Sequence, residues 1–251
     1  MSLGIRQTFS LTLRALLALW RQPWFVAITL VQPMIWLLLF GALFKKVVEI
    51  PGFNGGSYLH FLTPGVVVMS ALFAAGWNGM GLIEAIDRGI MDRFLVTPVW
   101  RGALVAASCV HAAVVILVQT VVIIAVAFAA GTTFPASTVV VMLVLPVLLG
   151  GAVAALSNAM ALVTRQEESL IGAVQFVVLP ASFLSSGMMA SNLLPGWIHD
   201  IARYNPVNWT VTAVRSPDTL LIGEHAGLLV ALVLVCGWLA TRAFRVYQRA
   251  V

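Results

Sequence analysis

The 251-residue chain is 61% apolar, only 9% charged and carries a formal net charge of +5, with a mean hydropathy of +1.02. Soluble domains carry about 25% charged residues, so this composition excludes an ordinary soluble fold and predicts an all-α polytopic membrane protein. The positive balance does not point to nucleic acid: all but Lys45 and Lys46 of the 14 basic residues are arginines, clustered at the ends of apolar runs, where membrane topology accounts for them.

The chain opens on residues 5–21. Ile5, Phe9, Leu13, Leu16 and Trp20 fall on one side of a helical wheel and Arg6, Arg14 and Arg21 on its flank, the pattern of an interfacial helix on an anionic membrane surface. The apolar run after Arg21 is too long for the core of a signal peptide. No charge occurs between Arg21 and Lys45, and residues 24–44 suffice to cross a hydrocarbon core of about 30 Å. Gln32 and Pro33 lie near the middle of this first span, where the proline predicts a kink. A loop rich in turn residues (Pro51, Gly52, Asn54-Gly55-Gly56) leads to a second span at 60–83.

The second span delivers the chain to a charged island, Glu84 to Arg101, set between two long apolar runs. At 100° per residue, Glu84, Asp87, Arg88 and Asp92 share one arc and Ile83, Ile86, Ile90 and Phe94 another, which predicts a short amphipathic helix stopped by Pro98. Glu84–Arg88 and Arg88–Asp92 are spaced as i,i+4 ion pairs. From Gly102 to Thr164 there is no Asp, Glu, Lys or Arg, and Gly131-Thr-Thr-Phe-Pro135 is the one good turn in this stretch, giving spans at 103–130 and 139–163. Arg165, Gln166, Glu167 and Glu168 separate these from a fifth span at 170–190, which Pro180 is expected to break or bend.

Residues 191–224 mix Trp197, Tyr204 and Trp209 with prolines and a few charges, and read as short helices dipping into the outer membrane interface. The last apolar run, 226–244, makes the sixth span. Six crossings place both termini on one side, with Arg6, Arg14, Arg21, Arg88, Arg93, Arg101, Arg165, Arg242, Arg245 and Arg249. The other side holds Lys45, Lys46, Arg203 and Arg215, so the excess of basic residues assigns the termini and the island to the cytoplasm. Glu84, Asp87, Asp92, Glu167 and Glu168 share that side, and a surface of both signs suits a protein partner.

Within the spans lie neutral amides, one in each of the first five: Gln32, Asn78, Gln119, Asn158 and Gln175. They read either as interhelical hydrogen-bonding groups or as a weakly polar lining for an amphiphilic substrate. Ion-coupled transporters need ionisable groups or broken-helix ion sites at depth, so their absence from the spans argues against secondary transport. His60, His111, His199 and His225 are scattered without metal-ligand spacing, and no serine sits in a nucleophile elbow. Cys109 and Cys236 fall inside apolar runs and read as packing residues. Asn208-Trp209-Thr210 matches a glycosylation acceptor, a pattern common by chance. A Walker A loop needs Gly-Lys, and the only lysines follow Phe44 and each other, so if ATP drives this protein another polypeptide binds it.

The order of these parts resembles the permeases of type-2 ABC exporters, especially the bacterial daunorubicin-resistance-like permeases. The resemblance rests on the amphipathic helix at 5–21, Thr63-Pro64-Gly65, EAIDRGIMDRFLVTPVWRGAL at 84–104, LPASFLSSGMM at 179–189 and LLPGWIHDIARYNPVNW at 193–209. It implies a six-helix permease of the bacterial plasma membrane that dimerises and binds two copies of a cytoplasmic ATPase, with ATP and magnesium on that partner. It also implies that 84–97 is the coupling helix, contributing Glu84, Asp87, Arg88, Asp92 and Arg93 to the interface, and that Arg165, Gln166 and Glu167 form a smaller second contact. The expected cargo is a drug, antibiotic or lipid-like molecule. A lipid-linked glycan permease and a non-transporting membrane scaffold or immunity protein are the alternatives.

Overall fold

The computed structural model describes residues 23–46, 57–89, 101–189 and 195–249, and the side chains of 29–46, 57–89, 106–189 and 195–245 among them. The interfacial helix expected at 5–21, the remainder of the island at 90–100 and residues 190–194 lie outside this range.

All regular structure among the described residues is helical. Helix α1 (Pro23–Ile35) runs through a π turn (Trp36–Phe40) into one further turn, Gly41–Leu43. Helix α2 (Tyr58–Gly76) passes through a 3₁₀ turn (Trp77–Gly79) into α3 (Met80–Asp87), and α4 (Arg101–Ala129), α5 (Ala136–Thr164) and α6 (Glu167–Phe183) follow. Two short helices, α7 (Gly196–Ala202) and α8 (Pro206–Arg215), precede the long α9, Thr219–Arg249. Four stretches are long and apolar enough to cross a membrane: Tyr58–Asp87, Ala106–Ala129, Ala136–Thr164 and Thr219–Arg245. The protein is therefore an all-α, multi-pass membrane protein.

Side-chain contacts fix how the helices alternate. At one end, the His60 ring at the start of α2 stacks on Phe134 in the α4–α5 turn at 4.5 Å, and Phe44 after α1 lies 5.7 Å from Tyr58. At the other end, Leu82 and Ile86 of α3 pack on Leu162 of α5 and Phe244 of α9. Helix α4 thus runs opposite to α2 and α5, while α5 and α9 end side by side and run the same way. Between apolar helices in lipid there is little hydrophobic drive, so close approach of small residues matters most. The run after Gly150 supplies it: Ala152, Ala155 and Ala159 of α5 meet Cys236 and Ala240 of α9, and a Cβ at Gly150 would strike the Ile116 side chain of α4. Cys109 and Cys236 are both free.

Several expectations are corrected in detail. Of the helix expected at 84–97, the described part ends at Asp87, where Gly89 turns the chain with φ 63°, a left-handed conformation that glycine adopts without the Cβ penalty, and residues 90–97 lie outside the described range. Pro180 does not break its helix. It sits in the last turn of α6, which starts at Glu167 rather than 170 and closes at Phe183, so Glu167 and Glu168 occupy the first turn, where acidic groups suit the helix dipole. The final helix begins at Thr219, seven residues before its apolar run. Residues 206–215 turn their apolar face onto protein: Val207, Thr210, Val211, Ala213 and Val214 are buried, and Val207, Val211, Ala213 and Val214 join the central core with Leu145, Leu149 and Val178. An amphipathic composition reads the same whether its apolar face meets lipid or protein, and here it meets protein.

Candidate functional site

The charged end of α3 is built from an amphipathic division. Ile83 is buried against the core that includes Leu170 of α6, while Glu84 and Arg88 are exposed and form an i,i+4 ion pair. Asp87 and Arg88 face outward with them. Asp92 and Arg93 lie outside the described residues. An exposed pair of this kind contributes little to stability, typically 0–1 kcal/mol, so its charges are available to a partner. Arg165 and Gln166 between α5 and α6, and Glu167 at the start of α6, are exposed at the same end, and Arg165 closes α5 in the left-handed region with φ 53°.

The span and α3 form one continuous element whose joint is held by α5. Ser157 donates its hydroxyl to the Gly76 carbonyl at 2.5 Å and accepts from the Gly79 amide at 3.0 Å. A single hydroxyl therefore bridges the two ends of the 3₁₀ turn. A Cβ at Gly79 would come 2.6 Å from the Ser157 carbonyl oxygen, so the glycine permits this approach. One residue away on each strand of the joint, the Asn78 amide donates to Ser108 Oγ at 2.6 Å and to Asn158 Oδ1 at 3.2 Å. Asn158 Nδ2 lies 3.1 Å from Ser108 Oγ. Three helices, α2, α4 and α5, are cross-linked by neutral hydrogen bonds just above the charged end.

The five span amides thus divide. Asn78 and Asn158 are brought together as interhelical bonding groups. Gln119 is buried in α4, and its Oε1 has no hydrogen-bond partner among the described residues. Gln32 and Gln175, by contrast, lie exposed on α1 and α6, and Trp36 in the π turn after α1 comes within 6.4 Å of Phe183 at the end of α6, ring centroid to ring centroid. Around them the surface is apolar, with Ile35, Leu39, Phe176 and Val177 all at least half exposed.

The opposite end holds a group that the sequence pattern treated only as a topological charge. Arg215, at the end of α8, donates to the carbonyls of Ser186 at 2.6 Å, Gly187 at 2.9 Å and Phe61 at 2.9 Å. Its guanidinium also lies 3.7 Å from the centroid of the Phe61 ring. Burial pushes its pKa down to about 9, with the nearby Tyr58 opposing the shift, so it remains a cation at neutral pH. Asn205 and Asn208 complete this end: Asn205 Nδ2 donates to the carbonyls of Ala181 and Leu184, and Asn208 Oδ1 accepts from the amide and hydroxyl of Ser186. Asn208 is thus a structural bond acceptor inside a helix. The signal that could have found this cluster is Asn205-Pro206, an N-cap followed by proline at the first helical position, which predicts a helix start and hence an arginine at its end.

No group of three or more His, Cys, Asp or Glu side chains that could hold a metal occurs among the described residues. Residues 6–217 match the family described as ABC-2 type transporter. A daunorubicin resistance ABC transporter permease protein of Streptomyces coeruleorubidus is 30% identical, over 80% of this chain and 71% of its own length. The ycf38 protein of Cyanophora paradoxa, whose name places it among transport permeases, is 28% identical over 84% of this chain and 73% of its own. A Mycobacterium tuberculosis protein named for doxorubicin resistance is 25% identical over 99% of this chain and 90% of its own. With the family match covering most of its length and an all-helical multi-pass fold, the chain belongs to the ABC-2 type transporter family and is a membrane permease subunit of it.

Proposed function

We propose that this chain is the transmembrane subunit of an ATP-driven exporter that moves a hydrophobic or amphiphilic molecule out of a bacterial cell, both termini facing the cytoplasm. Two copies of the permease pair with two copies of a separate ATPase that carries ATP and magnesium. The observation that carries this reading is the unbroken run from α2 into α3, pinned at its joint by Ser157 and ending in exposed Glu84, Asp87 and Arg88. A stiff helix continuous with a span can transmit a rigid-body displacement, which a loose loop cannot. Glu84, Asp87, Arg88, Asp92 and Arg93 seat in the ATPase, and Arg165, Gln166 and Glu167 make a second contact.

The relatives named for daunorubicin and doxorubicin resistance support a bulky amphiphilic cargo. Exposed Gln32 and Gln175 on the apolar α1–α6 surface support a route there, because an amide facing lipid would lack the partners that an amphiphile or a second permease copy provides. Co-purification tests the pairing. A tagged permease is expected to retain an ATPase encoded beside it through gel filtration, and recovery of the permease alone would contradict the reading.

A further inference from the structure

Helix α6 is held unevenly. Its buried residues are Leu170, Val174, Val178 and Ser182, a single stripe at every fourth position, so most of its circumference is free along its length. At its α7 end the picture reverses. The turn after α6 is fastened to α8 by Asn205 and Asn208, and to α2 by the Tyr58 hydroxyl, which donates to the Met188 carbonyl at 3.1 Å. Gly187 also packs against Gly65, where a Cβ would collide with the Gly187 carbonyl. Arg215, from α8, bonds to both sides of this seam, reaching Ser186 and Gly187 in the turn and Phe61 on α2.

The chemistry of this bridge suits a catch better than a rivet. The guanidinium is held by carbonyls and a ring face, with no carboxylate salt bridge among the described residues, and its buried Nε has no hydrogen-bond partner. An unpaired buried donor detracts from the stability of the held state, so release costs less than from a fully bonded site. We propose that Arg215 is a positioning residue that acts as a clasp, holding the turn after α6 onto the start of α2 and so closing the bundle at the end remote from α3. This deepens the export reading, on which the need for such a closure rests: a molecule passing along α6 must get by this turn.

Planar geometry gives the test. One guanidinium can bridge two elements and stack on Phe61, whereas a lysine ammonium brings the charge without the fork. In a full-length C109A/C236A background, Ser185, which is 3% exposed in the clasped turn, is replaced by cysteine. Its reaction with a membrane-impermeant maleimide is then timed for Arg215, R215K and R215M. The clasp predicts slow labelling with Arg215 and about tenfold faster labelling with both variants, the size expected for losing one charge-assisted contact. Equal rates in all three overturn it, as does wild-type protection in R215K, which would mean that charge alone suffices. If R215M does not purify as a single species, the comparison of R215K with Arg215 decides in the same terms. Labelling requires no transport, so failure of the export reading is separately visible as absent ATP-driven efflux with normal protection.

Discussion

Ser157 concentrates two bonds on one hydroxyl, and its removal takes a side-chain partner from both the Gly76 carbonyl and the Gly79 amide in a buried joint. A hydrogen bond of this kind contributes about 0.5–1.5 kcal/mol net. S157A is expected to destabilise the purified protein by about that amount per bond lost, read as a lower melting temperature, with a larger proportional loss of ATP-driven transport, because the proposed transmission runs through this joint. A second residue-scale test lies at Gly65. Its Cβ would meet a backbone carbonyl rather than a flexible side chain, so G65A cannot relax by a rotamer change. A loss of about 1–3 kcal/mol is expected, as for other overpacked sites, and a melting curve coincident with wild type would refute that close packing.

At the scale of elements, the end of α3 depends on one glycine. Gly89 lies at φ 63° immediately after the exposed Glu84–Arg88 pair, and G89A is expected to cost about 1–2 kcal/mol from the left-handed penalty while leaving α2 in place. Limited proteolysis between residues 84 and 101 should then accelerate relative to cleavage elsewhere. The long elements were legible in the sequence because a run such as 139–163 has no alternative to burial in a bilayer. Apolar patterning also assigned Ile83 and Ile86 to the inward side of α3, as found. What patterning could not give was the length of the final helix, since Thr219–Gly227 includes Glu224 and His225 and reads as polar. Nor could it tell α8 packed on protein from α8 packed on lipid, because both present the same apolar face. Arg215 was invisible for a related reason: a charge beside an apolar run is read as a topological marker, and the carbonyls that hold it come together only when the turn after α6 folds onto the start of α2.

Taken whole, the molecule has a charged end, a polar cross-link just inside it, an apolar middle and a clasped far end. The amides that looked equivalent in sequence differ by place: Asn78 and Asn158 bind helices together, and Gln32 and Gln175 stand on the open α1–α6 surface. Combined Q32L and Q175L is therefore expected to leave insertion and ATPase pairing intact while reducing efflux several-fold. Unchanged efflux would move the route elsewhere. In the proposed exporter, energy enters through α3. The most direct measurement is ATP-driven export in proteoliposomes containing the permease and its ATPase, comparing wild type with the combined charge reversal E84K, D87K and R88E. Export is predicted to fall to background, with the permease still inserted and the ATPase either released or hydrolysing ATP unproductively. Undiminished export from an intact complex would contradict α3 as the transmission element.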